Sequence, residues 1–148
     1  MAWLPYFMKN MTTNPSDFPV MANRIFRYYG LILFGFGLLL FLAIPSIYEY
    51  YVGMDYIVDS TIYLTLLGAY FFNGLYRFKV SQLFFRERTL SIAKLSMVTA
   101  IVNLVLNYIC IKSWGIFGAA FSTLVSYLLL YLLLEIELFI ARRNESYY

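Results

Sequence analysis

Four stretches of the chain run without a charged residue: 28–48, 60–76, 95–111 and 113–134. Each is between 17 and 22 residues long. An α-helix crossing a hydrocarbon layer needs roughly 17–25. The two shorter runs lengthen once the stems of flanking Lys and Arg snorkel. The pattern predicts four transmembrane helices, at about 28–50, 58–85, 89–111 and 115–140. Residues 1–27 are set apart as a cytoplasmic loop and 142–148 as a cytoplasmic tail. Within that loop, "KNMTTNPSDFP" has the Asn, Pro, Ser and Asp of a polar turn, and Ser16 or Asp17 is placed to cap a short amphipathic helix toward Arg27. The apolar opening, Ala2 to Met8, has no support around it and reads as the stump of a preceding helix.

The polar residues inside these helices fall into stripes. In the second helix, Asn73, Arg77, Ser81 and Arg88 lie within one sector at 100° per residue, while Lys79, Gln82 and Arg86 lie roughly opposite. A cation at membrane depth is costly and faces a bundle interior or an aqueous cavity. Arg77 and Lys79 therefore have two readings. Either they snorkel to the cytoplasmic headgroups, or Arg77 with Asn73 lines a cavity and holds an anion through the guanidinium fork. In the third helix Ser96, Thr99 or Ala100, Asn103 and Asn107 share a face. In the fourth, Gly115, Ala119 and Thr123 form one row and Gly118, Ser122 and Ser126 the next. Such small-residue spacing lets membrane helices approach closely, and amides in hydrocarbon need partners. The short link around 112–115 makes these two helices an antiparallel pair. Asn103, Asn107, Gly115, Gly118, Ala119, Ser122 and Thr123 are its expected packing residues, with direct substrate contact as the other reading. Glu135 and Glu137 are expected at the cytoplasmic interface beside Arg142 and Arg143.

Composition and charge sharpen this. The chain is 62% hydrophobic and 13% charged, against about 45–50% and 25% for soluble domains. Of its 11 Lys and Arg, all but Lys112 fall on one side of the predicted layer, and residues 49–59 carry only Glu49, Asp55 and Asp59. The positive-inside rule places both termini in the cytoplasm of a multi-pass inner-membrane protein. Tyr28, Tyr29, Tyr48, Tyr50, Tyr51 and Trp114 sit at the predicted interfaces, where aromatic belts form. The start "MAWLPYFMKN" lacks the basic region of a secretory signal, and Pro5 interrupts its apolar stretch. With no His and a single Cys110, which reads as a core hydrophobe, no enzyme, metal centre or cofactor is expected. The partners expected are membrane lipids, not nucleic acid.

The stretch "VNLVLNYICIKSWGIFGAAFSTLVSYLLLYLLL" resembles the late helices of polysaccharide (O-antigen-type) repeat-unit flippases, in the superfamily that also holds multidrug and toxic-compound extruders. The resemblance rests on Asn103, Leu106, Asn107, Ile111, Gly115, Ile116, Gly118, Ala119, Ala120, Thr123, Ser126 and Tyr127. It departs at Lys112, where the family often has Pro, and at Ser122, often Ala. "YLTLLGAYFFNGLYRFKVSQLFFRERT" is similar to the preceding family helix, with Gly74 and Tyr76 in place, and "AWLPYFMKN" to the close of an earlier one.

The resemblance implies an all-α membrane protein, its four helices matching the last ones of a two-lobed flippase of about 12–14 helices. The chain is then expected to be a C-terminal fragment, with the N-terminal helices or a second polypeptide as a partner. The implied function is transport of undecaprenyl-pyrophosphate-linked oligosaccharide repeat units by alternating access, with Asn73, Arg77 and Lys79 on the pyrophosphate side of the cavity. Two alternatives stand beside it: a fragment of a cation-coupled drug extruder, which calls for buried acidic residues, and a small four-helix accessory or assembly protein. A glycan-polymerising enzyme is disfavoured because it calls for a large polar outer loop.

Overall fold

The computed structural model describes residues 3–13, 17–51 and 59–145. The expectations for Ala2, Ser16 and the acidic loop around Asp55 lie outside them. Among the described residues the chain is helical, with no strand: α1 (Trp3–Thr13), α2 (Phe18–Tyr51), α3 (Ser60–Lys79), α4 (Ser81–Phe85) and α5 (Thr89–Glu145).

The first long helix begins well before the predicted span. The Asp17 carbonyl accepts from the Met21 amide at 3.2 Å, and the helix continues through Arg24 and Arg27. Charges interrupt an apolar run without breaking a helix, Pro19 falls in the first turn where proline is tolerated, and no further proline intervenes until Pro45. The amphipathic segment and the first span are therefore one element.

Asp59 caps α3, its carboxylate accepting from the Thr61 amide at 3.0 Å. That hydrogen bond holds the Asp59 carboxyl below its ordinary range. The predicted second span, 58–85, is divided at Val80 into α3 and α4. The chain then turns through a Schellman motif: the Arg88 amide donates to Leu83 O at 3.0 Å and the Glu87 amide to Phe84 O at 3.1 Å. Glu87 takes the left-handed position, φ 57°, that glycine usually fills.

The last helix, α5, is folded back on itself at Gly115 (φ 58°, ψ −133°) into two arms, residues 89–114 and 116–145. That backbone geometry belongs to the glycine position of a type II′ turn, which a Cβ disfavours. Three residues on, a Cβ built on Gly118 would overlap the carbonyl of Cys110, so the two backbones touch there. The antiparallel register follows: Asn103 reaches Ser126, and Arg88 reaches Glu137.

Against this hairpin packs α3, with Ala69 fully buried, Gly68 beside Leu124, and Tyr70 beside Tyr127. A core of Leu83, Leu134 and Leu138 ties α4 to the second arm, flanked by Ile92 and Leu95 of the first. The outer faces are apolar. Leu31 and Ile32 on α2 and Leu104 and Tyr108 on the first arm are exposed, as is Ile116 past the turn. Two helices, Val20–Ile47 and Thr89–Ala141, are long and apolar enough to cross a membrane, the latter folded in half at Gly115. By the same measure of length and composition α3 is not among them.

Three substitutions test this backbone account by thermal unfolding of the purified protein. Gly115→Ala is expected to destabilise by on the order of 1–3 kcal/mol through backbone strain. Gly118→Leu is expected to do at least as much damage by forcing the arms apart. Glu87→Gly is expected to stabilise by roughly 1 kcal/mol, because it relieves the left-handed residue.

Candidate ligand-binding site

Polar chemistry collects in two places, a seam within the α5 hairpin and a junction at the basic end of the bundle. The seam is a closed network. Asn103 Nδ2 donates to Ser126 Oγ at 2.9 Å, and Asn107 Nδ2 donates to Asn103 Oδ1 at 3.0 Å. Ser122 Oγ donates to Asn107 Oδ1 at 2.5 Å, and Ser126 Oγ donates to Ser122 O at 2.7 Å. Thr123 lies outside this ring, its hydroxyl bonded back to Ala119 O at 2.9 Å. Among the described residues no buried side-chain nitrogen or oxygen is without a partner. The amides and hydroxyls named in the seam are all engaged within the chain.

The basic end is organised around Phe78. Its ring stacks on Trp3 (centroids 4.1 Å apart) and on Tyr29 (5.1 Å), with Phe26 at 5.4 Å. The Trp3 indole N–H donates to the Phe78 carbonyl at 3.1 Å and to Ser81 Oγ at 2.9 Å, and the Ser81 hydroxyl donates to the same carbonyl. Helix ends leave carbonyls without intrahelical donors. Here the indole and hydroxyl supply them at the division between α3 and α4. The apolar opening of the chain is thus a docked helix, with Phe7, Phe18 and Ala22 forming a small core beside Phe85. Ser81, which the helical wheel placed in the polar sector with Arg77, is buried beneath Trp3.

Lys79 projects where α2, α3 and the second arm meet. Its ammonium lies 4.5 Å from the centre of the Phe26 ring and 5.7 Å from that of Tyr131, and it forms an ion pair with Glu135. The Lys79 side chain is 16% exposed, that of Glu135 34%. Arg77 is exposed on another face of α3, and its Nε donates to Asn73 Oδ1 at 3.4 Å. Asn73 and Arg77 are thus together, while Lys79 points elsewhere.

Glu137 accepts from Arg88 Nη1 at 3.2 Å and from Ser91 Oγ at 2.8 Å. The sequence reading set both glutamates beside the basic tail. The structure gives them partners 46 to 56 residues away along the chain. The register of the hairpin sets the Glu137 contacts, the crossing of α3 on the second arm sets that of Glu135, and no local spacing signals either.

Along the α2–α3 interface lies an apolar groove of about 580 Å³, lined by Leu33, Phe34, Phe41, Leu67 and Phe71 among others. Phe71 and Lys79 are about 12 Å apart along α3 at 1.5 Å per residue. A cation and an apolar trough thus share one helix pair.

Among the described residues the fold is all-α, with two helices long and apolar enough to span a membrane. No family model, curated protein or solved structure matches the chain.

A double-mutant cycle on Asn103→Leu and Ser126→Ala measures the seam. A coupling of about 0.6–2 kcal/mol in unfolding free energy is expected, the range for interhelical hydrogen bonds in apolar surroundings. Additive effects would mean the bond contributes nothing.

Proposed function

We propose that the chain is the helical unit of a membrane transporter for lipid-linked oligosaccharides, working with further helices that complete a two-lobed cavity. The observation that carries this reading is the pairing of a ring-caged cation, Lys79, with the apolar groove farther along α2 and α3. Such a pair suits an amphiphile with an anionic head and a long apolar tail, which is the chemistry of an undecaprenyl-pyrophosphate-linked repeat unit. Arg77 and Asn73, paired on the face of α3 roughly opposite Lys79, are a separate contact for phosphate or sugar.

Further support comes from the inverted polarity of the bundle. Large apolar side chains cover the outside of α2 and of the first arm, while Asn103, Ser122 and Ser126 bond one another inside. Exposed apolar surface on this scale marks a membrane or partner face. The charge bias favours a cytoplasmic position for both termini and the Lys79 end, as in a multi-pass inner-membrane protein. The flippase-like residues Asn103, Asn107, Gly118 and Ser126 are those that hold the hairpin together. The drug-extruder alternative calls for a carboxylate available to a coupling cation, whereas Glu135 and Glu137 are neutralised by Lys79 and Arg88. Translocation breaks no bond, so no catalytic residue is assigned.

The test is binding by the full chain in phosphatidylcholine nanodiscs. Undecaprenyl diphosphate is expected to bind saturably, undecaprenol at least tenfold more weakly, and Lys79→Met is expected to remove the difference. Equal affinity for the two lipids would refute the diphosphate site.

A further inference from the structure

Lys79 is already charge-compensated. An ammonium has three donors and no acceptor. One donor is taken by Glu135 Oε1, and the faces of Phe26 and Tyr131 approach the cation from α2 and the second arm. The side chain retains only 16% of its exposure. An anion reaching Lys79 therefore meets a carboxylate that already occupies the place it would take. The carboxylate is also not free to shift alone. Glu135 lies on the second arm near Leu134 and Leu138, which are packed into the core with Leu83. The ion pair ties the basic end of the second arm directly to the last residue of α3.

We propose that Glu135 is a built-in counter-ion that holds the Lys79 site closed, and that a diphosphate binds by displacing it and releasing the basic end of the second arm from its tie to Lys79. This rests on the reading of Lys79 as a ligand contact. A diphosphate carries more negative charge than one carboxylate and offers several acceptors, so the exchange favours the ligand once it arrives. The energy of the Lys79–Glu135 attraction is spent in opening the site, so the intact pair lowers affinity and couples occupancy to arm position. Glu137, two residues farther along, anchors the same arm to Ser91 of the first arm and to Arg88 just before it, and not to α3. It serves as the control.

The experiment measures binding of inorganic pyrophosphate and, separately, of undecaprenyl diphosphate to the full chain in phosphatidylcholine nanodiscs. Glu135→Gln is expected to raise affinity about tenfold, equivalent to ~1.4 kcal/mol, and Glu137→Gln to leave it unchanged. Glu135→Asp, which keeps the charge but withdraws it by one methylene, is expected to give an intermediate gain and covers the case in which Glu135→Gln fails to fold. Enhancement with both probes assigns the site to the diphosphate itself; enhancement with the lipid alone assigns it to the diphosphate held together with its prenyl chain. Wild-type binding that is unaltered or weakened by both Glu135 variants overturns the counter-ion role and leaves the ligand site standing. No binding by wild type or variant removes the ligand site, and the counter-ion role with it.

Discussion

The fold-back of α5 at Gly115 is the constraint on which the other contacts depend. One glycine in a turn geometry closed to other residues, and a second with its backbone against the Cys110 carbonyl, set the register of the two arms. That register brings Asn103 and Asn107 to Ser122 and Ser126, so that amides buried among leucines find partners inside the chain. An unpaired amide in such surroundings would cost on the order of 1–3 kcal/mol. The same register carries Glu137 to Arg88 and Ser91 at the far end and offers α3 a two-arm surface on which to pack. A slip of one residue along the hairpin would rotate the seam away from its partners and separate Glu137 from Arg88 and Ser91.

The second organising feature is the junction at Phe78. Three aromatic rings and an indole N–H converge there from α1 and α2, and the neighbouring Lys79 reaches the second arm. Five helical elements thus communicate through a few residues at the basic end. At the opposite end, among the described residues, Trp114 is exposed and lies beside Phe117 and Phe121 past the turn. Changes at Lys79 are therefore felt by α2 and the second arm together.

Much of this was legible in the sequence, for identifiable reasons. The helical class follows from long charge-free runs, and the small residues around Gly115 announced a close approach because small side chains are what close approach requires. Other features left no local trace. Val80 is neither glycine nor proline, and the division it marks is stabilised by Trp3, 77 residues earlier in the chain. Glu87 occupies a left-handed position with a side chain that advertises nothing of the kind. The stretch from Phe18 to Arg27 was set apart from the first span because charges punctuate hydropathy, though they do not punctuate helices. At the candidate site, Lys79, Arg77 and Asn73 stood out as polar groups in an apolar helix. Glu135 as the counter-ion of Lys79 was hidden, because it depends on where α3 crosses the second arm.

The central claim is that the α5 hairpin crosses a membrane twice, with the Lys79 junction on the cytoplasmic side and the Gly115 turn on the other. The most direct measurement is labelling of single cysteines by an impermeant maleimide in sealed vesicles of both orientations, in a Cys110→Ser background. Lys94→Cys and Lys112→Cys report the two ends of the first arm, both at exposed positions. The account predicts that Lys94→Cys is labelled only in inverted vesicles and Lys112→Cys only in right-side-out ones. Labelling of both from the same side would contradict it.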